Sequence, residues 1–484
     1  MIPIKHKTIF RLRSRRVLGV LAAFFLLAGC MHDDKDPSAK FDPAQIRLAD
    51  DIHLARDGWP AAFWWTRYDD PQLNALIARA IVSAPSIAVA QTRIAQSHAQ
   101  VKIIGNWWNN FQIMGGGIFT KDLQAGDILI NYNLDIWGKQ SHAVEAAIGA
   151  ENASVAEAAA VELEISTEVA QLYYGIQTNY HLIDLIDKSS EVWKLAIQAQ
   201  EARAETGLGS RVNIAQPRVQ LLALERQKVA ALGEIKNIRE AIRALVGATA
   251  DDLPEIKPVP LPRSVEAALP ETLSYELLAR RPDLQAMRWY VQSTLSEIEA
   301  TKAAFYPSIN LAGLFLFGKV EVGNLFSKST TQVMGLPLIY LPIFQIDQLN
   351  AALDSARASR NQLIERYNQA VFNAVREVAV CGNKIQTLQA EHQLQLDKIK
   401  DVNRSHEAAE AAYQRGLGNR IQAAEARLPG YLAQTELLLL ESQLVSLDIN
   451  LIKALGGGYR AENAEHDPNS SDNTSSSGAE VTGK

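Results

Sequence analysis

Few side chains in this sequence have the types and spacing that catalysis or metal binding needs. The nine histidines are dispersed along the chain, and no spacing of Cys and His suits zinc. Neither a phosphate-binding loop of the G-x-x-x-x-G-K-[ST] type nor a G-x-S-x-G nucleophile elbow occurs. The sequence therefore predicts that the protein is not an enzyme and that it holds neither a metal nor a cofactor.

One side chain near the N-terminus, the thiol of Cys30, is placed for a defined modification. A basic segment at 5–16 precedes a short apolar core at 17–27, and LAGC follows at 27–30. This order is typical of a signal peptide, and LAGC resembles the bacterial lipobox. The likeness implies cleavage before Cys30 and a covalent lipid on its sulfur. Met31, rather than Asp, follows the cysteine, which points to the outer membrane.

Charge and hydropathy exclude other classes of protein. A formal net charge of −6 and a pI near 5.9 give no basic surface for nucleic acid, so we expect no nucleic-acid partner. After the first thirty residues we expect no apolar run to form a membrane-spanning helix of ~20 residues. If the chain crosses a membrane, it must do so with strands that close into a barrel.

Two similar turns separate the predicted helices that would position any functional residue. TGLGSR at 206–211 and RGLGNR at 415–420 each combine two glycines with a following Ser or Asn. This composition is typical of a helix end, a left-handed turn and a new helix start. A long proline-free stretch precedes each turn. We predict long helices at 141–205 and 347–415 and return helices at 212–246 and 421–455, with the apolar spacing of coiled coils.

Upstream of each long helix the apolar period changes from 3.6 to 2. Within 127–137, Ile128 and Ile130 share one face, whereas Asn131 and Asn133 share the other. One apolar and one polar face over about ten residues is typical of a transmembrane barrel strand, although a soluble antiparallel sheet alternates in the same way. We predict β-hairpins at 111–137 and 308–344. The last strand, 332–344, alternates poorly and is predicted mainly from its counterpart.

The two halves of the chain repeat each other. Aligning residue 85 with 282 and residue 207 with 416 superimposes helix on helix and strand on strand. The predicted order is a signal peptide (1–29), a lipidated tether (30–60), a first repeat (61–247) with two helices, hairpin 111–137 and helical hairpin 141–247, a linker (248–268), a second repeat (269–458) with two helices, hairpin 308–344 and helical hairpin 347–456, and a disordered tail (459–484).

Motifs spread over nearly the whole mature chain carry a family resemblance. They are LAGC, WW…DDPQLNAL from 64, LDIWGK at 134–139, RRPDL at 280–284, FYPSINL at 305–311, LPIF at 341–344 and KALGGGY at 453–459. With them the sequence resembles the outer membrane factor family, the TolC-like efflux channels, and within it the NodT-type lipoproteins. The resemblance implies a mainly α fold with a small transmembrane β-barrel. Four strands from each protomer of a homotrimer would close one twelve-stranded barrel, beside a periplasmic α-barrel.

The resemblance also implies a pore constriction at the ends of the helical hairpins. The family pattern G-x-x-S-x-x-D-x-x-D falls on Gly416, Asn419, Gln422 and Glu425, so one of its two acids is kept. Three Glu425 carboxylates around a threefold axis would repel anions and attract cations. The uncharged first-repeat counterparts include Asn213 and Gln216. Arg211, Arg420 and Arg427 are candidates for contacts between protomers, and a solvated position is the alternative for each.

Other features of the hairpin ends concern partners and helix shape. Pro217 and Pro429 fall just past the turns, where proline removes a backbone hydrogen bond and is expected to bend a helix. The residues expected to contact an adaptor are Gly207, Leu208, Gly209, Ser210, Gly416, Leu417, Gly418 and Asn419.

The resemblance implies a passive exit duct for small molecules in a tripartite efflux system. Its expected partners are two further copies of the chain, a periplasmic adaptor, an inner-membrane transporter of RND, MFS or ABC type, and outer-membrane lipid. Two alternatives remain at this point: a duct for type I protein secretion, and a non-conducting periplasmic coiled-coil scaffold lipoprotein.

Overall fold

A computed structural model describes residues 58–119, 123–207, 212–249, 252–262, 274–321 and 327–460. The predicted signal peptide, Cys30, the tether before Gly58 and the tail after Arg460 lie outside these residues. Contacts divide the chain into two compact units. The first contains Arg93–Val155 and Ala286–Gln369, and the second contains most of the remaining described chain.

The described chain is mostly helical with one small sheet. In order, its elements are α1 (Pro71–Ser83), α2 (Pro85–Gly105), β1 (Phe111–Phe119), β2 (Leu123–Leu134), α3 (Lys139–Glu205), α4 (Val212–Val246), α5 (Ser274–Arg280), α6 (Pro282–Ala303), β3 (Ser308–Glu321), β4 (Ser327–Tyr340), α7 (Ile346–Gln414), α8 (Arg420–Glu425) and α9 (Leu428–Ala454). Short 3₁₀ turns at Trp64–Tyr68 and Trp107–Asn110 precede α1 and β1.

The first unit holds one antiparallel sheet with the strand order β1-β2-β3-β4. Ile113 pairs with Ile130, and Ile128 pairs with Phe315, so one apolar face runs across the first three strands. β1 and β4 are the edge strands. Within the described chain, β1 pairs only with β2 and β4 pairs only with β3. A sheet with two unpaired edges leaves a row of backbone donors and acceptors open on each side.

Two predicted strands have different bounds in the structure. β2 begins at Leu123 and ends at Leu134, not at 137. The Asp135 carboxylate instead accepts hydrogen bonds from the backbone nitrogens of Gln140 (3.1 Å) and Ser141 (3.0 Å), which starts α3. β4 begins at Ser327 and ends at Tyr340, short of the predicted 344. Pro342 lies just beyond it, where a missing N–H cannot continue a ladder.

The predicted single return helix at 421–455 is wrong, because the structure has two helices there. α8 ends at Glu425 and α9 begins at Leu428. Pro429 has no N–H to donate to the carbonyl of Glu425, and as the second residue of α9 it suits a helix start. Pro217, in contrast, lies inside the continuous helix α4.

The core of the second unit gathers helices from both repeats. Leu73 of α1, Tyr173 of α3, Ile242 of α4 and Ile449 of α9 are all fully buried in it. We expected no stretch after residue 30 to be long and apolar enough for a membrane-spanning helix. This expectation is wrong by length and composition, because Pro71–Gly105 is long and apolar enough. This stretch is two helices separated at Ala84, where ψ is 128°, and the apolar face of α1 belongs to the core.

Residues 252–262 of the predicted linker pack on this core. Leu253 and Ile256 are buried against it. The backbone nitrogen of Val259 donates to Oε1 of Gln177 at 2.8 Å. The proline-rich connection between the repeats is therefore part of the folded unit.

Candidate functional site

The second hairpin tip is a tightly closed helix end. Gly416 has φ +73°, and its nitrogen donates to the carbonyl of Tyr413 at 2.9 Å. The nitrogen of Leu417 reaches back to the carbonyl of Ala412 at 2.9 Å. These two bonds form a Schellman motif, which satisfies carbonyls that the end of α7 would leave unpaired. A residue with a Cβ would be strained at Gly416.

The same tip starts the next helix and presents an apolar side chain. The side-chain oxygen of Asn419 accepts a hydrogen bond from the nitrogen of Ile421 at 2.8 Å, so it caps α8. Between the two caps, Leu417 is 81% exposed. A Cβ on Gly418 would lie 3.2 Å from the nitrogen of Tyr413, so the turn leaves little room there. The tip therefore offers one apolar side chain on a rigid backbone.

The first hairpin tip is described only in part. Gly207 follows the end of α3 with φ +73°, and its nitrogen donates to the carbonyl of Ala204 at 3.2 Å. Leu208, Gly209 and Ser210 lie outside the described residues. Gly207 thus has the same left-handed conformation as Gly416 of the second tip.

The predicted pore residues of the second repeat lie on α8 and just after it. Gln422 and Arg420 are exposed, and Glu425 is half-buried at the helix end. Residues three apart share one side of a helix, so Gln422 and Glu425 lie on one side of α8. Arg427 forms an ion pair with Glu410 of α7, with Nη2 3.7 Å from Oε2. In the part of the chain that the structure describes, Glu425 has no ion-pair partner.

The first-repeat counterparts lie at the start of α4. Asn213 and Gln216 are exposed, and Pro217 beside them is buried. Across the described ranges, no hydrogen bond joins Asn213 or Gln216 to Gln422 or Glu425. Within one protomer, direct bonding therefore does not bring the two halves of the predicted constriction together.

Aromatic side chains gather where the strands join the helices. The rings of Phe111 and Tyr132 lie 4.5 Å apart, and Trp107 meets Phe111 edge-on at 5.4 Å. Trp137 and Tyr306 stack with centroids 4.8 Å apart. Amphipathic aromatic residues at the ends of apolar strands are typical of a membrane–water interface.

A buried polar network that the sequence reasoning missed fastens residues 59–70, which we name the strap. Tyr68 Oη donates to Oδ2 of Asp448 on α9 at 2.6 Å, and Arg67 lies 3.5 Å from Oδ1. Tyr173 of α3 donates to Oδ2 of Asp70 at 2.6 Å. Burial raises the pKa of the Asp448 carboxyl, although Arg67 and Tyr68 act against that rise. Asp448 is the one acid in the apolar stretch 444–452 of α9, and this was the available signal.

Comparisons with known proteins agree over most of the chain. A family model described as "Outer membrane efflux protein" matches residues 114–248 and 273–457. The multidrug resistance outer membrane protein MdtP of Escherichia coli (strain K12) is 42% identical over 477 residues, covering 93% of this chain and 97% of the relative.

Solved structures of channels have a similar fold. The outer-membrane channel OprN has a TM-score of 0.75 at 19% identity, covering 88% of this chain and 99% of that one. The outer membrane protein VceC from Vibrio cholerae has a TM-score of 0.70 at 27% identity, covering 83% and 100%. The predicted fold class, mainly α with a small transmembrane β-barrel, is confirmed.

Proposed function

The chain belongs to the outer membrane efflux protein family, and we propose that three copies form the exit duct of a tripartite efflux system. It is an outer-membrane channel protein and not an enzyme, and it extends into the periplasm.

The observation that carries the proposal is the open four-stranded sheet. One face is apolar from Ile113 on β1 to Ile339 on β4, as a lipid-facing surface requires. In hydrocarbon, each unpaired backbone group costs several kcal/mol, so neither β1 nor β4 can remain an edge. Pairing β1 of one copy with β4 of the next removes both edges, and a threefold ring closes the set.

A second exposed apolar surface supports association of copies. On α4 the apolar side chains of Val219, Leu222 and Val229 are exposed and recur with steps of three and seven. This is the spacing of a coiled-coil seam. A seam exposed on one protomer is suited to a helix of a neighbouring copy.

The narrow end of the duct is proposed to lie at the hairpin tips. Glu425 carries a carboxylate without an ion-pair partner among the described residues. Three such carboxylates around an axis would make the entrance attract cations. Asn213, Gln216 and Gln422 would add neutral polar groups to the same lining, and Arg420 would be available for contact between protomers.

The tips are proposed to engage a periplasmic adaptor that is coupled to an inner-membrane transporter of RND, MFS or ABC type. The exposed side chain of Leu417 on its rigid turn is the proposed anchor. Cargo is proposed to be small molecules, and a lipid on Cys30 is proposed to hold the N-terminus in the outer membrane. Palmitate labelling of wild type but not of Cys30→Ser would support the lipid, and equal labelling of both would reject it.

An accumulation assay tests the proposed duct. Cells that lack their own efflux channel, but hold an adaptor and a pump, should retain less fluorescent dye when they express this chain. Leu417→Asp should abolish this effect without loss of the heat-modifiable trimer. Val82→Asp, which changes another exposed apolar residue on α1, should not. A trimer in the outer membrane that never lowers dye retention would instead favour a scaffold.

A further inference from the structure

Large apolar side chains are exposed where the edge strand β4 ends. We name residues 339–344 the apolar run, and it contains no charged side chain. Pro342 is buried, and the other five side chains are exposed: Ile339, Tyr340, Leu341, Ile343 and Phe344, the last at 95%. So many neighbouring apolar residues on one surface indicate that a partner covers it.

Two exposed indoles precede the opposite edge strand, β1. Trp107 and Trp108, which we name the indole pair, are 54% and 59% exposed, and their ring centroids lie 4.0 Å apart. Each ring centroid also lies 5.4 Å from that of Phe111. The nitrogen of Trp108 donates to Oδ1 of Asn106 at 3.1 Å, which caps the short 3₁₀ turn. The cap and the ring contacts hold the indole pair beside the edge of the sheet.

The indole pair and the apolar run lie at the same end of the sheet but at opposite edges. Phe111 begins β1, whereas Tyr340 ends β4 and pairs with Ser308, the first residue of β3. Both β2 and β3 lie between the two edges. At ~4.8 Å between neighbouring strands, the edges are about 14 Å apart. The strand order therefore keeps the indole pair away from the apolar run of its own protomer.

A neighbouring copy would bring the two features together. In the proposed ring, β1 of one copy pairs with β4 of the next, and rotation about the threefold axis leaves each residue at its own height. The indole pair of one copy would then lie beside the apolar run of the next. Pro342 and the 3₁₀ turn at Trp107–Asn110 end the strands here, so contact between copies at this level must be made by side chains.

Lipid is a poorer partner for the apolar run than a second copy. Ile339 and Tyr340 are neighbours in a strand, so their side chains point to opposite faces of the sheet. Lipid reaches only the outer face of a barrel wall. A copy docked at the edge contacts side chains of both faces, and it therefore accounts for the exposure of both residues.

We propose that the indole pair of one copy packs against the apolar run of the next and closes the rim of the barrel where the strands end. The inference rests on the proposed trimeric duct and assigns a side-chain contact to each of its three junctions between copies. Stacking or edge-to-face contact of Trp108 with Phe344 stabilises the junction beyond the apolar area that it buries. The contact also keeps lipid out of the junction at the level where backbone pairing stops.

A double-mutant cycle on the lifetime of the trimer tests the contact. Gel electrophoresis measures the half-life of the trimer in warm SDS for wild type, Trp108→Ala, Phe344→Ala and the double variant. Each single substitution should shorten the half-life about tenfold, as expected for the loss of one buried aromatic contact. The double variant should have the half-life of the single variants, because both substitutions remove the same contact. Ile136→Ala, which changes an exposed apolar residue after the interior strand β2, should have no effect.

Cysteine cross-linking locates the contact independently of its contribution to stability. In a Cys381→Ala background, Trp108→Cys and Phe344→Cys are combined in one chain, and the assembled protein is treated with a short bismaleimide. Boiled samples should contain covalent dimers and trimers. The matched pair Ile136→Cys with Phe344→Cys should run as a monomer after boiling, because Ile136 follows an interior strand.

The outcomes distinguish the contact from the proposed duct. Trimers that conduct ions overturn the contact and leave the duct intact if the double variant shows the product of the two single effects, or if boiling leaves only monomers of the Trp108→Cys, Phe344→Cys chain. Lipid would then cover the apolar run. Wild-type protein that never forms a trimer overturns the duct itself.

Discussion

Tyr68 and Asp448 are 380 positions apart in the chain, yet Tyr68 Oη donates to Oδ2 of Asp448 at 2.6 Å. In that bond the strap supplies the tyrosine. In a second bond the strap supplies the aspartate, because Tyr173 of α3 donates to Asp70. Two tyrosine–aspartate hydrogen bonds of opposite direction thus fasten the strap to α9 and α3. The strap thereby joins the long helix of the first repeat to the return helix of the second.

The Tyr68 bond should contribute measurably to stability. Tyr68→Phe leaves Oδ2 of the buried Asp448 without this donor, which we expect to lower the free energy of unfolding by about 1–3 kcal/mol. Urea unfolding followed by tryptophan fluorescence measures the change. Tyr413→Phe, on an exposed tyrosine of α7, is the matched control and should be neutral. Equal effects of the two changes would show that the buried bond contributes nothing specific.

The buried Asp448 should give stability a defined dependence on pH. Burial raises the pKa of its carboxyl, so the folded state binds this proton more tightly than the unfolded state does. Protonation of Asp448 therefore adds to the free energy of unfolding. This contribution is complete below the unfolded pKa of ~3.9 and is lost as pH rises through the folded pKa. Relative to Asp448→Asn, wild type should therefore become less stable from about pH 4 upward. A stability difference constant from pH 3.5 to 7 contradicts this expectation.

Gly456, at the end of α9, should tolerate no side chain. It has φ +89°, and an added Cβ would collide with the carbonyl of Arg280. We expect Gly456→Ala to cost about 2–4 kcal/mol, because backbone strain and overpacking act together. Gly233 lies in α4 with no atom within 4 Å of an added Cβ, so Gly233→Ala should stabilise by about 1 kcal/mol. Thermal unfolding of both variants checks the pair, and opposite signs are expected.

Glu425 should control the ion selectivity of the pore. Reversing its charge in Glu425→Lys should move the reversal potential in a salt gradient from cation toward anion preference, with Glu425→Ala between them. The control is Glu407→Lys, which changes another exposed acid before the same turn. A reversal potential unaffected by residue 425 would remove this residue from the proposed constriction.

Local chemistry made several elements predictable from sequence. The left-handed conformation of Gly416 and the cap at Asn419 follow from residues within one turn, and the structure has both. The end of β2 did not follow, because Asp135 continues the polar alternation of the strand but uses its carboxylate to cap α3. Pro429 predicted a bend in the return helix. It did not predict that one helix would end at Glu425 and another begin at Leu428.

Features that depend on distant partners could not be predicted. The sequence around Tyr68 gives no sign of Asp448, since their pairing exists only after both repeats have folded together. The order of side chains across the sheet likewise depends on the register of three strand pairs, because Met114 and Met334 become members of one row only through Leu129 and Leu314. The roles of Glu425 and of the tips stay predictions, because they require neighbouring copies and partners.

Single-channel conductance of the purified wild-type protein in planar bilayers tests the central claim most directly. Before measurement, the preparation must run as a heat-modifiable trimer. The proposed duct predicts discrete, cation-preferring current steps from these trimers. Correctly assembled trimers that insert into the bilayer and pass no current would contradict it.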